Sequence, residues 1–338
     1  MHRSKIEYCD DTWNPITGCL ESCDYCYARK RAVRFTGDIR RNKNSPRYRK
    51  GEILQVLEDP FMADTGGILN YPFGFEPTYH QYRLNYPKLR KNGCTILVGE
   101  AGETFGDWVP DSVIEEIFAA CQKRDIHKYL FLTRNPKRYD ALFAAGRLPT
   151  ERNFWYGTTV TSNLDWIPVE IIPANTFLNI EPYLEKIELP GDRKITDWII
   201  IGAETGSRRG KIEPKKEWIE EIVRYADRAG IPVFMKNSLS HIVGEKNMRR
   251  EIPMELTQKE VSPLVKALRE SDCAVCKVHG QKKDMIALAA RSKRGEMPKQ
   301  LCHVCKKCFL KFCNQHDIDI PELEGLKDEK EKLSQNRK

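Results

Sequence analysis

Six apolar runs, each closed by a polar residue, constrain this chain more than any other feature of it: 94–99, 128–133, 153–160, 176–182, 197–204 and 231–236. A strand buried on both faces reads as a continuous apolar run, the mark of a parallel sheet covered by helices. The intervening segments supply such helices. In 110–123, Val113, Ile114, Ile117, Phe118 and Cys121 recur on one helical face. The segment 136–146 opens with Pro136 and stops at Gly146, and 214–229 stops at Gly230, the usual asymmetry of helix ends. Adding 6–11 and a short segment near Phe75 gives about eight strands. The expected fold is therefore α/β, a (β/α)8-type parallel barrel, complete or nearly so. In such barrels the reactive groups stand at the carboxyl ends of the strands. Glu103, Thr133 with Arg134, Thr159 with Thr161, Glu181, Glu204 and Lys236 fall at those ends. An acid after a strand also serves as a helix cap, but six successive strands ending alike argue for one polar mouth.

The loop after the first strand carries Cys19, Cys23 and Cys26 in a C-x3-C-x2-C array. Three thiols leave a tetrahedral zinc site one ligand short. They suit an iron–sulfur cube better, because thiolates are its usual ligands and a fourth iron stays open to a small molecule. Three buried thiols, or a redox pair with a bystander, are the plainer alternatives. Cys9, Cys94 and Cys121 read as structural.

The array resembles the cluster loop of radical S-adenosylmethionine enzymes, and Tyr25 and Tyr27 add to the likeness. With Thr12-Trp13-Asn14-Pro15 ahead of it, the stretch is similar to the signature of a phage- and prokaryote-encoded radical S-adenosylmethionine family of unknown function. Pro77 to Leu84, Leu132-Thr133-Arg134, Asn179-Ile180-Glu181-Pro182, Asp197 to Gly206 and Pro232 to Lys236 extend the likeness over about residues 6 to 240. Two places depart from it. Glu100-Ala101-Gly102-Glu103 stands where relatives carry a Ser-Met-x-Asp type loop, and Asn237-Ser238 where a Gln-Trp pair is common. The resemblance implies a [4Fe–4S] cluster on the three cysteines, S-adenosylmethionine as second cofactor, and an electron donor such as flavodoxin or ferredoxin. It also implies cofactor-binding roles at the mouth. Arg134 would grip the methionine carboxylate and Glu103 or Glu76 the ammonium group. Thr159, Thr161 and Asn179 would face the ribose, with Glu181, Glu204 and Lys236 completing the set.

Past residue 255 the pattern changes. Thr257 to Glu260 reads as a capping box opening a helix to Arg269. Cys273-x2-Cys276 and Cys302-x2-Cys305 then form paired knuckles, a zinc signal. Cys308 is an alternative ligand, and with it the cysteines could instead hold an auxiliary iron–sulfur cluster; Cys313, His279, His303 and His316 lie nearby. The organisation read from the sequence is thus a barrel at 1–255, a Cys-rich metal-binding module at 256–320, and a charged, disordered tail at 321–338.

Twelve cysteines without an export signal point to metal ligation in a reducing compartment, the cytoplasm, and no apolar run reaches the length of a membrane span. The net charge of +8 matters less than its placement. Between Arg29 and Lys50 ten basic residues face one acid, Asp38, and between Cys273 and Lys311 ten face Asp284 and Glu296. Two such clusters suit a polyanion. The leading expectation is a radical S-adenosylmethionine enzyme acting on a nucleic acid or a nucleotide-derived substrate. A non-catalytic zinc and nucleic-acid-binding protein, or a radical enzyme with a protein substrate, are the alternatives.

Overall fold

The computed structural model describes residues 4–165, 174–191, 193–257, 270–272, 279–281, 285–290 and 299–305. The chain divides into two compact units, Met1–Glu260 and Val261–Lys338.

In the first unit, β1 (Asp11–Trp13) and β2 (Ile16–Thr17) flank Asn14-Pro15, and α1 (Tyr27–Phe35) and α2 (Ile39–Lys43) follow the cysteine loop. Next come β3 (Gln55–Leu57), β4 (Thr78–His80) and α3 (Tyr86–Leu89). The regular part then runs β5 (Thr95–Val98), α4 (Asp111–Gln122), β6 (Lys128–Thr133), α5 (Lys137–Ala144), β7 (Phe154–Thr159), β8 (Asn175–Ile180), β9 (Ile199–Ile201), α6 (Lys216–Ala229) and β10 (Val233–Met235). Seven strands form one parallel sheet in the order β1-β5-β6-β7-β8-β9-β10, curled into a half-barrel. The α/β class and the parallel sheet agree with the sequence. The described sheet is a partial barrel.

Two of the eight expected strands differ. Residues 6–10 form a turn, and the first strand starts at Asp11. The Ile6/Tyr8 alternation that imitates a strand serves to plug the sheet, with the Tyr8 ring edge-on to Trp198 and Phe234 at 5.8 and 6.1 Å. The segment after Phe75 does form a strand, but β4 sits between β2 and β3 in a separate three-stranded sheet. Alternation reports burial and not which sheet receives the strand.

The register sorts the side chains into two faces. On the outer face Ile96, Val98, Tyr129, Phe131, Phe154 and Tyr156 meet Ile114, Ile117, Phe118 and Cys121 of α4. Leu178, Ile180, Ile199, Ile201, Val233 and Met235 meet Ile219, Ile222 and Ala226 of α6. Each fully buried isoleucine of that set is worth about 1.5–3 kcal/mol, and α6 ends as expected on a left-handed Gly230. On the inner face Leu97, Leu130, Trp155, Phe177, Trp198, Ile200 and Phe234 form a second, largely aromatic layer. Gly157 lies on this face, where a Cβ would run into the Phe177 ring at 2.1 Å, so only glycine leaves room for the end of that ring against β7.

His80 of β4 is fully buried and shares a hydrogen bond with the Thr17 hydroxyl at 2.8 Å. Burial, then the Arg83 charge, holds it well below its ordinary 6.5, and burial also lowers His127. The folded chain takes up protons on both rings at lower pH than the unfolded chain, whose histidines titrate near 6.5. Their stabilising contribution is therefore complete above that value and lost as pH falls towards the depressed folded values. One unit below, His80 should cost at most about 1.4 kcal/mol and His127 less, its shift being the smaller. Urea midpoints at pH 7.5 and 5.5 check this, and His80→Asn should remove the larger part of the difference; an unchanged difference would exclude His80 as the source.

In the second unit β11 (Glu270–Asp272) pairs antiparallel with β12 (His279–Gln281), and β13 (Met285–Ala290) with β14 (Lys299–Cys305). Cys302 and Cys305 lie on β14, in register with Leu288 and Met285. Cys273, Cys276, Cys308, Cys313, His316, the expected helix to Arg269 and the charged tail lie outside the described residues. Among the described residues, no helix is long and apolar enough to cross a membrane.

Candidate functional site

Trp13, Asn14 and Pro15 fix the start of the cysteine loop. Trp13 is buried and donates its indole N–H to the Arg83 carbonyl at 2.9 Å. The Asn14 side chain accepts from the Ala101 N–H at 2.9 Å, and the Pro15 carbonyl accepts from His80 at 2.8 Å. One short stretch thus ties the loop to the segment after β5 and to the smaller sheet. Gly18 and Gly102 then bring two backbones into contact. The Gly18 N–H meets the Ala101 carbonyl at 3.0 Å and the Glu103 N–H meets the Gly18 carbonyl at 3.2 Å. A Cβ on Gly18 would stand 2.3 Å from the Glu76 carbonyl oxygen, so glycine is required there on space as well as on its φ of +82°.

Each of the three sulfurs in this loop accepts an N–H. Cys19 Sγ accepts from the Glu21 backbone at 3.2 Å, and Cys26 Sγ, capping α1, from the Arg29 backbone at 3.3 Å. Cys23 Sγ accepts from a guanidinium nitrogen of Arg134 at 2.8 Å. All three cysteines are partly buried and carry free thiols. Burial pushes the Cys19 thiol up to about 12 against the pull of its N–H donor, so as a bare thiol it is neutral. Ionising it calls for a positive partner, which a bound metal provides.

Arg134 is itself held from three sides. Its backbone N–H donates to Glu103 at 3.1 Å, its second terminal nitrogen pairs with Asp165 at 3.0 Å, and its guanidinium carbon lies 5.7 Å from the Tyr25 ring centre. Glu103 is buried, and its other oxygen accepts from the Thr133 hydroxyl at 2.7 Å and the Phe105 N–H at 2.9 Å. Burial raises its pKa and these donors oppose the rise. Asp165 accepts from the Thr161 N–H and hydroxyl at 2.6 and 2.9 Å and from the Ser162 N–H at 3.0 Å. Burial alone would raise it, but the Thr161 and Ser162 donors, with Arg134, keep it below the usual carboxylate range.

The remaining candidates lie along the upper rim of β7 to β10. Thr159 is half-buried and in register with Asn179. Asn179 is buried and its Oδ1 has no partner. Glu204 is buried; one carboxylate oxygen pairs with Arg208 and the other has no partner. Glu181 forms an ion pair with Lys236, both about one-fifth exposed, and its carboxylate lies 3.0 Å from where a Cβ on Gly202 would be. Glu76 has its backbone carbonyl against Gly18 of the cysteine loop and its carboxylate in an ion pair with Lys43. The chain belongs to the family described as Protein of unknown function (DUF5131). That family's model matches residues 3–252, which spans the cysteine loop, Arg134 and the whole rim. No curated protein and no solved structure matches the chain.

Sequence reasoning did not single out Asp165 or Glu100 for a role at this site. Asp165 accepts from its own loop three and four residues back, a pattern common to ordinary turns, so nothing local marks its contact with Arg134. Glu100 gathers Tyr27, Arg31 at 2.8 Å and Asn14; only the family likeness drew attention to its segment. Among the described residues no three His, Cys, Asp or Glu side chains converge as a single metal ion would need. A cube spreads its three thiolates over three irons, so that convergence is not its requirement.

Proposed function

We propose that this chain is a radical S-adenosylmethionine enzyme whose [4Fe–4S] cluster is held by Cys19, Cys23 and Cys26, and whose substrate is a nucleic acid or nucleotide-derived. The observation that carries the reading is the N–H donor on each of the three sulfurs, at 3.2, 2.8 and 3.3 Å. Such donors are the outer contacts that metal–thiolate centres use. The donor set fits: three soft sulfur ligands on one short loop, at the carboxyl end of β1. When bound, the cluster and S-adenosylmethionine supply a reducing electron and a carbon radical.

The chain's own residues bind, orient and exclude water. The buried Asn179 Oδ1 and Glu204 carboxylate oxygen lack partners, and an unpaired buried acceptor costs about 1–3 kcal/mol. A ligand with N–H or O–H donors, such as an amino group or ribose hydroxyls, would relieve both. The Glu181–Lys236 pair offers one charge of each sign beside them. The aromatic layer of Trp155, Phe177, Trp198 and Phe234 closes the inner face below and keeps water out from that side.

The nucleic-acid reading draws on the basic stretch. Arg31, Arg41 and Lys43 are paired with Glu100, Asp64 and Glu76, while Arg34, Arg40, Arg49 and Lys50 are exposed. The zinc or auxiliary-cluster role of Cys273, Cys276, Cys302 and Cys305 belongs to the same proposal. Iron, sulfide and zinc analysis of anaerobically reconstituted protein tests it, beside Cys23→Ala. About four irons per chain, an absorbance bleached by dithionite, and release of methionine and 5'-deoxyadenosine are expected. Cys23→Ala should lose nearly all iron of this centre. Full iron content in that variant would end the assignment, and nucleic-acid binding that does not weaken with salt would end the substrate class.

A further inference from the structure

The three sulfurs of the cysteine loop are not held alike. Cys19 and Cys26 accept neutral backbone N–H groups, whereas Cys23 accepts a guanidinium, with a full positive charge 2.8 Å from its sulfur. That charge is fixed in place. The Arg134 backbone is pinned by Glu103 at 3.1 Å and the far side of its fork by Asp165 at 3.0 Å, and Asp165 is pinned in turn by Thr161 and Ser162. One N–H of each terminal nitrogen of the fork is engaged, so in this arrangement the arginine faces the cysteine loop. Charge-assisted hydrogen bonds are about twice as strong as neutral ones, which makes Cys23 the most strongly polarised of the three sulfurs.

We infer that Arg134 is a positioning residue that sets the reduction potential of the iron–sulfur centre, with Asp165 as the counter-charge that limits its effect; the inference rests on the function proposed above. Reduction moves one electron from a low-potential donor such as dithionite onto the centre, the donor being oxidised, with no bond made or broken. The added negative charge is stabilised by a cation at the Cys23 sulfur, so Arg134 raises the potential. Asp165, on the other side of the same guanidinium, offsets part of that field and lowers it. Both groups are partly buried, where charges are screened less than on the open surface. Hydrogen bonds to cluster sulfurs, net charge and exposure are the terms that set such potentials.

The two substitutions have opposite signs, which a merely structural role would not produce. In a redox titration followed by electron paramagnetic resonance, Arg134→Gln at matched iron content should show a reduced-to-oxidised ratio about tenfold lower at the wild-type midpoint. Tenfold corresponds to about 59 mV for one electron. Asp165→Asn should shift the ratio the other way by a similar factor. Arg134→Lys, which keeps the charge and loses the fork, should fall between wild type and Arg134→Gln. If Arg134→Gln takes up no iron, the Lys and Asn variants still decide the matter. An unmoved midpoint in these variants, or Asp165→Asn shifting in the same direction as Arg134→Gln, overturns the inference while leaving the proposed function standing. A wild-type protein that assembles no centre overturns both.

Discussion

Gly18→Ala is expected to lower the stability of the first unit by about 4 kcal/mol, the sum of two separable penalties. A non-glycine residue in the left-handed region costs about 1–3 kcal/mol, and Gly18 has φ +82°. Forcing a methyl group into filled space costs about 1–3 kcal/mol more, and here the obstacle is backbone: the Glu76 carbonyl oxygen at 2.3 Å and that of Phe75 at 2.7 Å. Neither can swing aside as a side chain would. Gly146→Ala separates the two terms, because Gly146 has φ +67° but nothing within 4 Å of the added carbon. It should show the backbone penalty alone, about 1–3 kcal/mol. Urea unfolding of both variants measures the difference. The Phe75 carbonyl that would have to retreat also accepts the Cys19 N–H at 3.1 Å, so Gly18→Ala should disturb the thiol loop as well. Equal losses in the two variants would mean that the close approach of loop and carbonyl carries no weight.

This contact shows where sequence stops informing. The strands after residue 94 were legible because burial on both faces leaves unbroken apolar runs, and the helix ends were legible because Pro136, Gly146 and Gly230 act locally. The glycines at 18 and 102 answer to a neighbour more than eighty residues away in one case, and nothing beside them signals it. Asn179 entered through the family likeness; the strand-end rule brought out Arg134, Thr161, Glu181, Glu204 and Lys236, since the carboxyl ends of parallel strands share one rim. It gave no pairing among them. That Glu181 would reach across Gly202 to Lys236, or that both ends of the Arg134 fork would be engaged, depends on how neighbouring strands are staggered. Stagger is a property of the assembled sheet.

The inner aromatic layer leads to the other large effect. Trp198 is fully buried, with ring centres of Tyr8 at 5.8 Å, Phe177 at 6.1 Å, Phe234 at 6.2 Å and Trp155 at 6.4 Å around it. Cutting it to alanine should cost about 3–5 kcal/mol from lost contacts and the cavity left behind. The indole adds a second term, because its N–H donates to the Glu251 carbonyl at 2.9 Å. Glu251 belongs to the segment that covers β10, with backbone bonds from Met235 to Arg249 and from Glu251 to Val233. An uncovered edge strand leaves a row of unpaired backbone groups. Trp198→Ala should therefore lose about 5 kcal/mol by urea unfolding and speed amide exchange at Met235 and Glu251. Trp198→Phe, which keeps a ring and loses the donor, should lose about 2 kcal/mol, roughly one unsatisfied group plus a small cavity. If the phenylalanine variant were as damaged as the alanine one, the hydrogen bond and not the aromatic packing would be what closes this side of the sheet. If amide exchange at Met235 stayed at the wild-type rate in both, the covering segment would be held by something other than Trp198.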